Sequence, residues 1–164
     1  IRLREALEVT CFVAVMGNKG PTIVRFEEPG LPVTVNVRVG SVLSMLWSAT
    51  GQVLLATLDE NAVRALAEAE LAAATAEQRA LLHADDPIGA LQRSVQAAGC
   101  AVVRDTNLRG ISAISAPIYN YAGRPCAVLT ALGATGGFDP SADGRVGQAV
   151  RVEAQAISRL LGDT

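Results

Sequence analysis

Residues 37–58 read VRVGSVLSMLWSATGQVLLATL and hold the transition around which the chain is organised. An alternating strand ends at Gly40, an irregular apolar stretch follows, and Ser48 is placed to cap a helix that runs to about Leu58. The first turn of this helix, residues 49–51, contains only Ala, Thr and Gly. Because the first N–H groups of a helix have no partner within it and the helix dipole is positive there, a carboxylate can approach this backbone closely.

The apolar stretch before Ser48 would supply walls for a ligand whose carboxylate lies at the helix start. A cavity with apolar walls and few polar groups is the usual form of a small-molecule site. Spacing alone favours a simpler alternative, an ordinary helix cap with Trp47 in the core. The candidate pocket residues in this segment are Met45, Leu46, Trp47, Ser48, Ala49 and Thr50.

The strands and helices that flank this segment fall into separate groups, which is typical of an α+β fold. Strands are predicted at 11–16, 21–28, 31–39, 100–105, 111–120 and 125–133. The last three are apolar on both faces, so we expect a sheet that is covered on both sides. Helices are predicted over 2–8, from Asp59 to about Glu70, over 71–84, from Asp86-Pro87 to Gly99, and from Asp139-Pro140 to Gly162. The last helix has its apolar stripe at Val146, Val150, Ala154, Ile157 and Leu161.

The composition describes one folded domain. The chain has 164 residues, half of them hydrophobic, and a formal net charge of -2, which excludes disorder and argues against direct binding of nucleic acid. The acidic residues between Asp59 and Asp86 are interpreted as a solvated helix face. The three cysteines are far apart and predict neither disulfides nor a zinc site, in keeping with a reducing cytoplasm.

The residue patterns do not indicate catalysis, metal binding or cofactor binding. The one histidine, His83, has no nucleophile motif beside it and is expected in a surface or capping role. The loop LGATGGF at 132–138 follows a strand but matches neither phosphate-binding glycine motif. We therefore expect a protein that is not an enzyme and that carries no metal or cofactor.

The quoted segment resembles the effector-domain signature of IclR-type transcriptional regulators, roughly vGrrlPLhaTAaGKAlLA. Gly40, Ser48, Ala49, Gly51, Leu55 and Ala56 fit this signature, whereas Ser44, Trp47 and Gln52 depart from it. A second family segment corresponds to Gly99, Gly110 and the strand ISAISAPIYN, followed by AVLTALG. The hairpin GNKGPTIVRFEE takes the place of the first two strands of the family.

This resemblance implies a GAF- or profilin-like domain, a curved antiparallel sheet of about six strands flanked by helices. Residues 1–164 would form one effector-binding regulatory domain, with 1–8 as the end of a connector helix. Regulators of this kind are similar in carrying an N-terminal winged helix-turn-helix that binds DNA, outside this chain, and in acting as cytoplasmic homodimers or homotetramers.

The resemblance also implies site residues. In members that bind small keto acids, backbone N–H groups at the positions of Ala49 and Thr50 hold the carboxylate. Their side-chain contacts, an acidic residue, a cysteine and two serines, correspond here to Val103, Ala113, Thr130 and Leu132, of which only Thr130 keeps a hydroxyl. Ser115 shares the strand parity of Ala113 and is added to the candidates.

These departures make the expected pocket apolar and favour a hydrophobic or aromatic carboxylate over glyoxylate or pyruvate. A keto or hydroxyl group buried there without a partner would cost about 1–3 kcal/mol. Arg25 and Arg38 could pair with a ligand carboxylate, although surface ion pairs are the more common role of such arginines. The alternatives are a GAF-like sensor of another signalling protein with a nucleotide or cofactor in the pocket, and a small enzyme that uses His83.

Overall fold

The computed structural model describes residues 10–27, 39–58, 60–104, 111–134 and 144–162. The five strands in these ranges are β1 (Thr10–Gly17), β2 (Gly20–Glu27), β3 (Ala101–Arg104), β4 (Ile111–Tyr119) and β5 (Pro125–Ala134). The helices are α1 (Ala49–Thr57), α2 (Asn61–Ala73), α3 (Ala76–Arg79), α4 (Pro87–Ala98) and α5 (Arg145–Leu160). The α+β class predicted from the sequence is confirmed.

The strands form one antiparallel sheet in the order β2-β1-β5-β4-β3. Helix α1 packs on one face, against β3, β4 and β5, and α5 packs on the other face, against β4 and β5. We call these the α1 face and the α5 face. The expectation that the last three strands are covered on both sides is therefore confirmed for β4 and β5.

Several predicted elements lie outside the described residues. They are the helix at 2–8, the strand at 31–39 apart from Val39, the helix start at Asp139-Pro140 and residue Asp59. Within the described chain, Glu60 is the N-cap of α2, and Gly144 is the N-cap of α5.

The helix predicted over 71–84 is interrupted and is helical over only half of its length. Helix α2 ends at Ala73, and α3 is a single turn of four residues. The cause is Thr75, whose hydroxyl accepts the N–H of Gln78 at 3.1 Å while the side-chain Oε1 of Gln78 accepts the N–H of Thr75 at 3.0 Å. This reciprocal capping box starts a new helix where alanine propensity alone would continue the old one.

The buried stripe of α5 also ends earlier than predicted. Val146, Val150 and Ala154 are buried, but Leu161 lies beyond the helix end and is 46% exposed. Ser158 is buried instead, because its hydroxyl accepts the N–H of Tyr119 on β4 at 2.8 Å. This bond fixes the end of α5 against the sheet.

Candidate functional site

Ser48 caps α1 as the sequence predicts. Its backbone is extended, with φ -104° and ψ 145°, and its hydroxyl accepts the N–H of Gly51 at 2.9 Å. The Ser48 carbonyl accepts the N–H of Gln52 at 3.1 Å. Within the described residues the N–H groups of Ala49 and Thr50 have no acceptor, and both residues are at most 2% exposed, so the positive end of α1 keeps two buried donors without a partner.

Residues 44–47 fold back onto this first turn. Gln52 donates from its side-chain amide to the Leu46 carbonyl at 2.9 Å, and Ser48 donates to the Ser44 carbonyl at 2.6 Å. Gly51 allows this approach, because a Cβ at that position would lie 2.6 Å from the Met45 Cα. The glycine in the segment is therefore required by packing.

Glu70 of α2 anchors the same segment from outside. Its carboxylate accepts the N–H of Met45 at 2.7 Å and the N–H of Leu46 at 3.1 Å. The interpretation of 59–86 as a purely solvated acidic face is wrong at this residue, which is partly buried and bonded to backbone. No spacing signal in the sequence points from Glu70 to residues 45 and 46.

The sheet residues predicted for the site lie in two adjacent rows on the α1 face. Strand register places Val103 opposite Ala113, Ala113 opposite Leu132, and Leu132 opposite Thr10. The next row holds Ala101, Ser115, Thr130 and Phe12 in the same order across the sheet. Because directly paired residues share a face, the structure brings all five predicted sheet positions together.

A chain of three buried hydroxyls joins the sheet to α1. Thr50 and Thr130 are 2.7 Å apart between their hydroxyl oxygens, and Ser115 and Thr130 are 2.6 Å apart. Each of the three residues is at most 1% exposed. These hydroxyls satisfy one another. In the neighbouring row, Val103, Ala113 and Leu132 have apolar side chains.

Sequence reasoning missed Thr10, which continues that apolar row onto β1. Its hydroxyl is buried and has no hydrogen-bond partner in the described part of the chain. Thr10 precedes the strand predicted at 11–16, so no local pattern marked it. Among the described residues, it is the one polar side chain in the row that also holds Leu132.

A cavity of about 370 Å³ lies beside Trp47. This volume is within the range of small-molecule sites, roughly 300–1,000 Å³. The cavity is partly open to solvent, and of the predicted site residues Leu46, Trp47 and Val103, all buried, contribute to its lining. The apolar lining residues include Leu46, Trp47, Leu82, Leu91, Ala101 and Val103.

Aromatic side chains lie along the other side of the apolar row. The rings of Phe12 and Phe26 stack with centroids 6.4 Å apart. They belong to a cluster with Leu132, against which Ala113 also packs. The row therefore has apolar neighbours on the β1–β2 side, whereas the cavity on the Trp47 side is also lined by Gln52, Ser94 and Arg104.

One further candidate, Arg25, lies away from this region. Arg25 pairs with Val13, whose side chain packs in the core of the α5 face, so Arg25 lies across the sheet from the start of α1. Arg38 is outside the described residues. Met45 is fully buried in the core beside α1.

The structure gives the surroundings of His83 and of the three cysteines. His83 lies in an exposed turn, where its Nδ1 is 2.9 Å from the Asp85 carbonyl. All three cysteines are free, as predicted, and burial raises the pKa of the Cys126 thiol. Within the described ranges no group of metal-ligating side chains is present, and no helix has the length and apolar character needed to cross a bilayer.

Comparisons with known proteins agree on one family. The model of the family described as "Bacterial transcriptional regulator IclR C-terminal" matches residues 2–159. The structure of Pseudomonas aeruginosa HmgR is similar with a TM-score of 0.86 and 36% identity, covering 99% of this chain and 63% of HmgR. Thermotoga maritima IclR, at 17% identity, shares the fold with a TM-score of 0.77, covering 98% of this chain and 64% of that one.

A curated relative is similar over a shorter stretch. The Pca regulon regulatory protein of Pseudomonas putida is 32% identical over 98 residues, which cover 59% of this chain and 33% of that protein. The chain thus spans about a third of this relative and less than two thirds of HmgR. The members of this family are transcriptional regulators, and transcriptional regulators are not a class of enzymes. The match also decides against the alternative of a GAF-like sensor from another kind of signalling protein. The chain belongs to the IclR family of bacterial transcriptional regulators and corresponds to its C-terminal, effector-binding domain.

Proposed function

We propose that the start of α1 and the apolar row on the α1 face bind a small carboxylate with a hydrophobic or aromatic body. The observation that carries this proposal is the pairing of two N–H groups, on Ala49 and Thr50, with a row of side chains that is apolar at every described position except Thr10. Hydrogen bonds to a charged acceptor contribute about 1.5–3 kcal/mol each, which is enough to orient an otherwise apolar ligand.

Effector binding would act on DNA through a helix-turn-helix domain elsewhere in the full protein. A ligand that binds one arrangement of a homodimer or homotetramer better than another shifts the population between them. The spacing of the DNA-binding helices would follow that shift. A relative named for regulation of the pca regulon supports this role for the family fold in gene control.

Titration calorimetry of the chain with a panel of acids tests the ligand class. Benzoate, phenylacetate and hexanoate are compared with pyruvate and glyoxylate, and benzamide and phenylacetamide serve as uncharged controls. We expect the aromatic acids to bind at least tenfold more tightly than the keto acids, since a buried keto oxygen without a partner costs about 1–3 kcal/mol. Binding of the short keto acids alone would contradict the proposal, as would equal affinity for an acid and its amide.

Ala49→Pro tests the backbone amide directly. Ala49 is the first residue of α1, a position where proline is tolerated, and the extended backbone of Ser48 suits a residue that precedes proline. The substitution therefore removes one N–H donor from the helix start. We expect at least a tenfold loss of affinity for the best acid of the panel, measured by calorimetry.

Ala49→Val is the matched control for this variant. It adds similar bulk at the same buried position but keeps the N–H group. If Ala49→Val weakens the acid as much as Ala49→Pro does, side-chain volume explains the loss and the amide has no role. If both variants bind the acid as tightly as the parent does, the start of α1 is not part of the binding site.

A further inference from the structure

A second cleft lies on the α5 face, across the sheet from the proposed effector site. It has a volume of about 430 Å³ and is bordered by α5, by β4 and by the turn between α4 and β3. Ala116 and Ala154, both 1% exposed, contribute its apolar floor. Its charged side chains among the described residues are Arg151 and Arg159.

The two arginines and Gln155 follow one side of α5, because residues four apart on a helix are neighbours on its surface. Within the described lining, no acidic residue opposes these two positive charges. Arg151 has another partner in the chain, but a guanidinium has five N–H donors and can serve a second acceptor. The cleft therefore favours an anionic occupant.

Other polar groups at the cleft do not offset this preference. Ser158 is already engaged, since it donates to the Ala154 carbonyl at 2.9 Å and accepts from Tyr119. The C-terminal end of α4 at Gly99 contributes a partial negative charge of about half a unit, which is small beside two full positive charges. Recognition of an acidic group thus falls to Arg151 and Arg159, with Gln155 and Tyr119 as further polar residues of the lining.

The spacing of the arginines indicates the shape of the ligand. Eight residues of helix separate their Cα atoms by about 12 Å along the axis, and the alanine floor lies between them. Guanidinium groups bind carboxylates in bidentate geometry. We propose that this cleft binds a small organic dianion, with one acidic group at each arginine and an apolar spacer over Ala116 and Ala154.

Titration of the chain with suberate, an eight-carbon dicarboxylate, tests this proposal in about 150 mM salt. Octanoate and inorganic phosphate are the comparison probes, and the arginine Nε–H resonances are followed by NMR alongside calorimetry. We expect suberate to shift the signals of Arg151 and Arg159 and to bind at least fivefold more tightly than either comparison probe. Arg159→Gln and Arg151→Gln should each weaken suberate at least fivefold.

Arg145→Gln is the matched control, because Arg145 is exposed on the same helix and outside the cleft lining. If Arg145→Gln loses as much affinity for suberate as the cleft variants do, the effect is non-specific electrostatic attraction and the proposal is wrong. Binding of octanoate as tightly as suberate would also overturn it. Ala49→Pro should leave suberate binding unchanged, which separates this cleft from the effector site. A lower oligomeric state of Arg159→Gln in sedimentation, with suberate affinity intact, would instead assign the cleft to a subunit interface.

Discussion

Replacing Gly51 by alanine is expected to lower the free energy of unfolding by about 3 kcal/mol, the upper part of the range for overpacked cores. Helix propensity predicts the opposite sign, since alanine is favoured over glycine inside a helix by about 1 kcal/mol. The added Cβ would overlap the Ser44 carbonyl oxygen and lie 2.7 Å from the Met45 carbonyl oxygen. These are backbone atoms, so relief requires movement of the whole segment that leads into Ser48.

Urea denaturation measures this effect, with Gly99→Ala as the control. Gly99 ends α4 at φ +73°, and a Cβ there would meet no atom within 4 Å. Gly99→Ala should therefore cost only the backbone strain of a left-handed residue, roughly 1–2 kcal/mol. A Gly51→Ala protein as stable as the parent would show that residues 44–47 do not pack on α1 as described.

Features with a local cause could be predicted from the sequence. Ser48 before the first turn of α1, and Asp86-Pro87 and Gly99 at the two ends of α4, are capping signals that involve residues within four positions of one another. The positions of the described strands followed from β-branched and apolar runs in the same way, whereas the alternating run at 31–39 lies outside the described residues apart from Val39. The capping box at Thr75 was also local, but the alanine-rich composition around it outweighed it in the prediction.

Features that depend on distant partners could not be predicted in this way. The rows through Val103 and Thr130 exist only because of strand register, which joins positions up to about 120 residues apart along the chain. The resemblance to IclR regulators supplied these positions, whereas residue patterns alone did not. The partners of Trp47 in its cavity, Leu82 and Leu91, come from another part of the chain and carry no signal near residue 47.

Glu70→Gln is expected to destabilise the protein by about 2 kcal/mol, because hydrogen bonds to a charged group contribute roughly 1.5–3 kcal/mol each. The carboxylate presents one oxygen to Met45 and the other to Leu46. A side-chain amide offers only one oxygen, so one N–H in this fully buried segment would face an NH₂ group instead. The affinity for the best acid should fall as well, since Trp47 and the first turn of α1 follow directly.

Glu68→Gln provides a control with the same chemical change two residues away on α2. Glu68 pairs with Arg64 at 3.2 Å, but their side chains are 59% and 51% exposed, and such pairs contribute about 0.3–0.5 kcal/mol. The two variants should therefore differ several-fold in their loss of stability by urea denaturation, although each removes one negative charge. Equal losses would mean that net charge, and not the bonds to Met45 and Leu46, sets the contribution of Glu70. If Glu70→Gln is destabilised while acid affinity is unchanged, the anchor holds the fold but does not position the site.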